Sequence, residues 1–147
     1  MWLPPGGHVE EGELPQVAAL REAFEETGMQ DVVLLDVKAG DLCLQAEGQR
    51  QLRFVPETEW EERFLEPFAL VEERIPATDR DVAHFHIDYV YVGQLRSVQD
   101  VQLLLGEVLD ARWIELDEGM IERLETFANV KAILRALKEF SSIENSL

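Results

Sequence analysis

A single cysteine, Cys43, occurs among the 147 residues, so no disulfide can close within the chain. Long apolar runs are also missing. None approaches the roughly 20 residues that span a bilayer, and no membrane partner is expected. The opening MWLPPGG has neither the basic start nor the apolar stretch of a secretion leader. Together these absences predict a reduced, cytoplasmic setting. Positive charge is scarce as well: 13 Lys and Arg stand against 30 Asp and Glu, a formal net charge of −17. Such a surface repels a phosphate backbone, which argues against a nucleic acid polymer as partner. A phosphate-bearing small molecule would need a cation to mediate its binding.

What is present suffices for one core. With 46% hydrophobic residues and no linker or repeat, the chain reads as a single domain over 1–147. Pro15 to Thr27 reads as a helix, with proline in its first turn and Gly28 just past its end. Asp31–Val37, Pro67–Ile75, Ala83–Gln94 and Asp110–Leu116 read as strands. A turn is expected at Ala46–Arg50, and a capping box at Thr58–Glu61. From Thr126 to Phe140, the residues Phe127, Val130, Leu134 and Leu137 recur at helical spacing and predict an amphipathic closing helix. Helices interleaved with strands place the chain in the α/β (α+β) class, around a mixed sheet.

The first helix poses the chemical question. At about 100° per residue, Glu22, Glu25 and Glu26 share an arc of about 100°, with Val17, Leu20 and Phe24 on the opposite side. Like charges so placed destabilise an isolated helix by a few tenths of a kcal/mol per pair. Arg21, four residues before Glu25, can neutralise or orient one carboxylate but not all three. A hard divalent cation such as magnesium takes oxygen ligands and keeps positions open for substrate phosphates. An ordinary solvated acidic face is the competing reading. Gly6 and Gly7, which allow close backbone approach upstream, shift the balance toward a site.

Gly7, five residues, Glu13, seven residues, then Arg21-Glu22-Ala23-Phe24-Glu25-Glu26-Thr27-Gly28-Met29 resembles the complete signature of the Nudix hydrolases, the MutT-type pyrophosphohydrolases. The resemblance implies a Nudix-like α/β/α sandwich with a mixed sheet. It implies that Glu22, Glu25 and Glu26 bind magnesium or manganese, with the carbonyl of Gly6 as a further ligand. Arg21 would orient the cluster, and Gly7 and Glu13 would support it. The chemistry implied is metal-assisted hydrolysis of a pyrophosphate bond in a nucleoside diphosphate linked to another group, a nucleoside triphosphate being one case. Several family members carry a further glutamate six positions before a tryptophan. Glu107 and Trp113 reproduce that spacing, making Glu107 an extra ligand or the general base, with Glu22 its rival for that role.

Other residues are weaker guides. His84, His86 and Asp88 alternate on one strand and share a face. The H-x-H-x-D spacing suits a metal, but His86 and Asp88 are expected to contact substrate. Trp2, Trp60, Tyr89 and Tyr91 are read as core before nucleobase platforms, and Glu59, Glu61, Glu62 and Glu66 as a solvated face. Around Leu44 to Glu47 the chain lacks both the proline common in the family's ADP-ribose hydrolases and the tyrosine of its diadenosine polyphosphate hydrolases. Only six residues precede Gly7, where the family fold normally has an upstream strand. Either the chain begins late or another segment or subunit supplies those contacts, and unpaired strand edges then predict a homodimer. The rival function is a non-catalytic nucleotide-sensing or interaction domain of the same fold.

Overall fold

The computed structural model describes residues 1–35, 64–79, 81–103 and 108–144. The expected turn at 46–50, the capping box at 58–61, Cys43, Trp60 and Glu107 lie outside the described residues. Among the described residues seven elements follow in order: α1 (Pro15–Thr27), β1 (Val32–Leu34), β2 (Ala69–Ile75), β3 (His84–Val90), β4 (Gly93–Leu95), α2 (Glu118–Arg123) and α3 (Ala128–Glu144). The mixed α/β class read from the sequence is the one adopted.

Helix α1 has the expected bounds because both of its ends are chemically marked. Pro15 sits in the first turn, where a missing N–H costs nothing. Gly28 closes the other end with φ of 70°, its N–H donating to the Phe24 carbonyl at 2.8 Å. Which face is buried differs from the expectation. Phe24 is 40% exposed, whereas Gln16 and Thr27 are buried. Hydrogen bonding explains the exchange, since a polar group can be buried once its partner is supplied. Gln16 Oε1 accepts from the Leu65 amide, and the Thr27 hydroxyl donates to the Ala23 carbonyl. Of the three apolar residues expected inward, Leu20 packs against buried Leu34 and Leu65.

The single long strand expected over 83–94 is two strands. β3 pairs antiparallel with β2 from Ala69↔Val90 to Ile75↔His84, while β4 pairs antiparallel with β1 from Val32↔Leu95 to Leu34↔Gly93. At Tyr91–Val92 the chain therefore changes partners. Val92 still accepts from the Leu35 amide, and Tyr91 Oη donates to the Leu65 carbonyl at 3.1 Å. Burial and the neighbouring Tyr89 push the Tyr91 phenol up to about 12, which fits a structural anchor.

No strand forms over 110–116. That stretch runs as irregular chain, with Trp113 Nε1 donating to the Gln99 carbonyl at 3.2 Å. Helix α2, unforeseen, starts at Asp117, whose side chain accepts from the Met120 amide at 2.9 Å. Helix α3 carries Phe140 against Phe68, with Ile133 and Leu137 alongside. Burying one such ring contributes about 2–3 kcal/mol, and here it fastens the closing helix to the start of β2.

Candidate active site

The loop before α1 and the acidic face of α1 are joined through Arg21. Its Nε and Nη2 donate to the two oxygens of Glu13, each at 3.0 Å. Its Nη1 donates to Glu22 at 2.7 Å and to Glu25 at 3.1 Å, and Nη2 also reaches the His8 carbonyl at 3.0 Å. All five guanidinium hydrogens are thereby used. Its hydrogen bonds to the Glu13 and Glu22 carboxylates raise the affinity of this guanidinium for its proton, so it stays charged throughout. Arg21 thus does more than the sequence suggested, since it holds two of the three clustered carboxylates and Glu13 as well.

Glu13 is held from two sides. Besides its fork with Arg21, it accepts from the Glu10 amide at 3.1 Å, and its own amide donates to the Glu10 carbonyl. The Arg21 hydrogen bonds, followed by that of Glu10, hold its carboxyl below the usual carboxylate range. Glu26 accepts from the Gly6 amide at 3.1 Å, which ties the loop to the third carboxylate. Gly7 lies so close to Glu22 that a Cβ there would overlap its carboxylate. Gly6, Gly7, Glu13, Arg21, Glu22, Glu25 and Glu26 therefore form one connected set.

As a donor set, these residues fit a hard divalent cation: every candidate ligand is a carboxylate or carbonyl oxygen, borne by one helix face and the loop bound to it. Among the described residues, no three His, Cys, Asp or Glu side chains already converge on one point at ligand separations. The Glu22 and Glu25 carboxylates are instead drawn to Arg21, and Glu26 to the loop amide.

His86 and Asp88 lie on β3, which packs beside α1. His86 is half-buried, Asp88 exposed. The His86 ring meets His8 edge-on at 6.0 Å, and its Nε2 lies 3.1 Å from Nε2 of His84. Because His84 Nδ1 faces the Val82 carbonyl at 2.8 Å, it must donate there. A neutral His84 then accepts at Nε2 from His86. All three histidines of the chain gather at the loop. His8 escaped the sequence reading because a lone histidine after two glycines carries no periodic signal. Trp2 packs its ring under the Arg112 guanidinium at 3.9 Å, while Tyr89 meets Phe64 edge-on.

A glycine-bounded acidic loop, an arginine-organised carboxylate helix and flanking antiparallel strands define a Nudix-type domain, and the family model of the NUDIX domain matches residues 1–137. The chain belongs to the Nudix family. It is 30% identical over 111 residues to the asymmetrical bis(5'-nucleosyl)-tetraphosphatase of Sus scrofa, covering 72% of this chain and 68% of that protein. It is 51% identical over 35 residues to an RNA pyrophosphohydrolase of Agrobacterium fabrum, and 50% identical over 40 residues to one of Gluconobacter oxydans. Those two matches cover 24% and 27% of this chain, and only 21% and 24% of the relatives' length. No solved structure matches it significantly.

Proposed function

We propose that the chain is a divalent-metal-dependent pyrophosphohydrolase acting on a nucleoside diphosphate linked to another group. Magnesium or manganese would be held by Glu22, Glu25, Glu26 and the carbonyl of Gly6. The observation that carries this reading is the Arg21 centre, where one guanidinium joins Glu22 and Glu25 to Glu13 and the loop. A cluster of negative charge organised at this cost in mutual repulsion is explained by a cation and the phosphates it brings. When bound, that cation supplies charge neutralisation along the pyrophosphate and polarisation of its oxygens.

The chain's own groups do the rest. Arg21 keeps the helix-borne carboxylates oriented, and the Gly6 contact with Glu26 keeps the loop against them. Glu22 or Glu107 accepts the proton of the attacking water. The case for Glu107 is its six-residue spacing from Trp113. His86 and Asp88, on the strand beside α1, are the side chains we assign to the substrate. The −17 charge and the shortness of the RNA pyrophosphohydrolase matches favour a free nucleotide over an RNA chain, and the broader match to a dinucleoside tetraphosphatase supports a nucleotide bridged by phosphates. Magnesium rather than a softer metal suits the oxygen donors. A lone cysteine suits the cytoplasm, and among the described residues no helix is long and apolar enough to cross a membrane. Self-association as a homodimer is supported by the exposed face of the β2–β3 pair.

The test is a hydrolysis screen over nucleoside triphosphates, nucleotide sugars, ADP-ribose and dinucleoside polyphosphates with magnesium or manganese. The expected products are a nucleoside monophosphate and a second phosphorylated compound. Calorimetric metal titration should show binding lost in the Glu25→Gln, Glu26→Gln double variant, and Glu107→Gln should lower kcat by about 10²–10⁴-fold if it is the base. Orthophosphate as the sole direct product, or equal metal affinity in wild type and double variant, would sink the reading.

A further inference from the structure

Trp2 is fastened to a part of the chain 124 positions away. Its amide donates to the Glu125 carbonyl at 2.8 Å, and its carbonyl accepts from the Thr126 hydroxyl at 2.6 Å. The Thr126 amide is already engaged with the Leu124 carbonyl at 3.0 Å, so only the hydroxyl can serve Trp2. Arg112 lies over the Trp2 ring at 3.9 Å and completes the hold. Glu125 and Thr126 occupy the turn between α2 and α3, and those helices are braced against each other. Arg135 pairs with Glu118 at 2.7 Å and with Glu122, while Lys131 Nζ donates to the Glu122 carbonyl at 2.7 Å.

Between Trp2 and Gly6 lie only Leu3, Pro4 and Pro5. Two adjacent prolines have φ fixed near −65° and no N–H to bond elsewhere, so this short stretch transmits position rather than absorbing it. Its far end is held at the acidic helix, by Gly6 to Glu26 at 3.1 Å and by the His8 carbonyl to Arg21 at 3.0 Å. The loop is thus strung between two supports, one on the carboxylate helix and one on the α2–α3 turn.

We infer that Thr126, assisted by Arg112, is a positioning residue that sets Gly6 against the Glu26 side of the carboxylate cluster through the Trp2–Pro5 strut. The metal-binding half of this inference rests on the hydrolase reading above; the placement of Gly6 does not. Valine at 126 keeps the branched shape but cannot donate to Trp2, whereas serine can. Arg112 is exposed, so Arg112→Gln loosens the ring without disturbing the core.

Two readouts test it in the full chain: amide exchange of Gly6 followed by NMR without metal, and manganese affinity. Thr126→Val should speed Gly6 exchange and weaken manganese by about tenfold, the low end for residues that orient ligands indirectly. In the hydrolysis assay kcat should fall more than KM rises. Thr126→Ser should restore both readouts to within about twofold, and Arg112→Gln should move them in the same direction as Thr126→Val by a smaller factor, as expected when only the ring contact is lost. If Thr126→Val and Arg112→Gln match wild type in either readout, the strut does not position Gly6 and the inference is overturned. A wild-type chain that takes no manganese instead overturns the hydrolase reading and the metal half together, while Gly6 exchange still decides the placement.

Discussion

At the scale of single residues, two adjacent glycines that look interchangeable in the sequence have different duties. A Cβ on Gly6 would meet nothing within 4 Å, whereas one on Gly7 would overlap the Glu22 carboxylate. Gly7→Ala should therefore displace Glu22 and weaken manganese binding by about tenfold or more, a loss typical of disturbed ligand orientation, while thermal unfolding stays near wild type. Gly6→Ala should leave the affinity nearly unchanged, and equal affinity in both variants would remove the distinction. A pH test addresses Glu13. Its folded value is depressed below the usual 4.5 by Arg21 and Glu10, so the unfolded chain takes up the proton first as pH falls. The stabilisation is present above about 4.5 and is lost as pH drops through the folded value. Urea unfolding of wild type and Glu13→Gln should differ near neutrality and converge below that range; a constant gap would show that Glu13 acts otherwise. The sequence made the carboxylates, Arg21 and Glu13 visible because they hold fixed spacings, but His8, Thr126 and Arg112 enter through contacts distant in sequence, for which one chain carries no pattern.

At the scale of elements, legibility followed the chemistry of the ends. Helix α1 was readable from Pro15 and Gly28, since each residue solves a local backbone problem. α3 was readable from its apolar spacing, although the helix begins at Ala128 and continues to Glu144. The strand over 83–94 was read as continuous because β-branched and aromatic residues run through it, and no local rule announces that Tyr91 and Val92 change partners. At 110–116 the same composition produced no strand: the Trp113 indole bonds the Gln99 carbonyl and Arg112 lies over the Trp2 ring, side-chain contacts that no periodic pattern announces. Gly28 offers the sharpest test at this scale. Its φ of 70° is left-handed, and a Cβ would stand 2.9 Å from the Gln102 carbonyl oxygen. Gly28→Ala combines that clash with a backbone penalty of about 1–2 kcal/mol. Gly12→Ala, at φ of 82° with nothing within 4 Å, carries the backbone penalty alone. Urea unfolding should rank Gly28→Ala below Gly12→Ala, and the reverse order would mean that the 96–102 segment yields easily.

At the scale of the whole molecule, the two faces of the β2–β3 pair differ in a way that bears on association. Opposed residues in an antiparallel ladder share a face, which groups Leu70 with Tyr89, Glu72 with Ile87 and Arg74 with Phe85. Every one of these six is exposed, with Leu70, Phe85 and Ile87 between 58% and 62%. On this face the apolar Leu70, Phe85, Ile87 and Tyr89 lie beside Glu72 and Arg74, an exposed surface on which the proposed homodimer would pack. The occupant we assign is a second copy, because Glu72 and Arg74 alternate on one strand and an antiparallel two-fold contact would set each against the other across the seam. The net charge of −17 works against such a dimer, so screening should strengthen it. Sedimentation velocity should show a dimer that tightens as salt rises and dissociates in Ile87→Glu, which adds charge to the centre of the patch while leaving α1 and the loop intact. Exchanging the pair through Glu72→Arg with Arg74→Glu should retain the dimer, whereas either change alone should weaken it. A wild-type chain that sediments as a monomer at every salt concentration would assign this face to another partner.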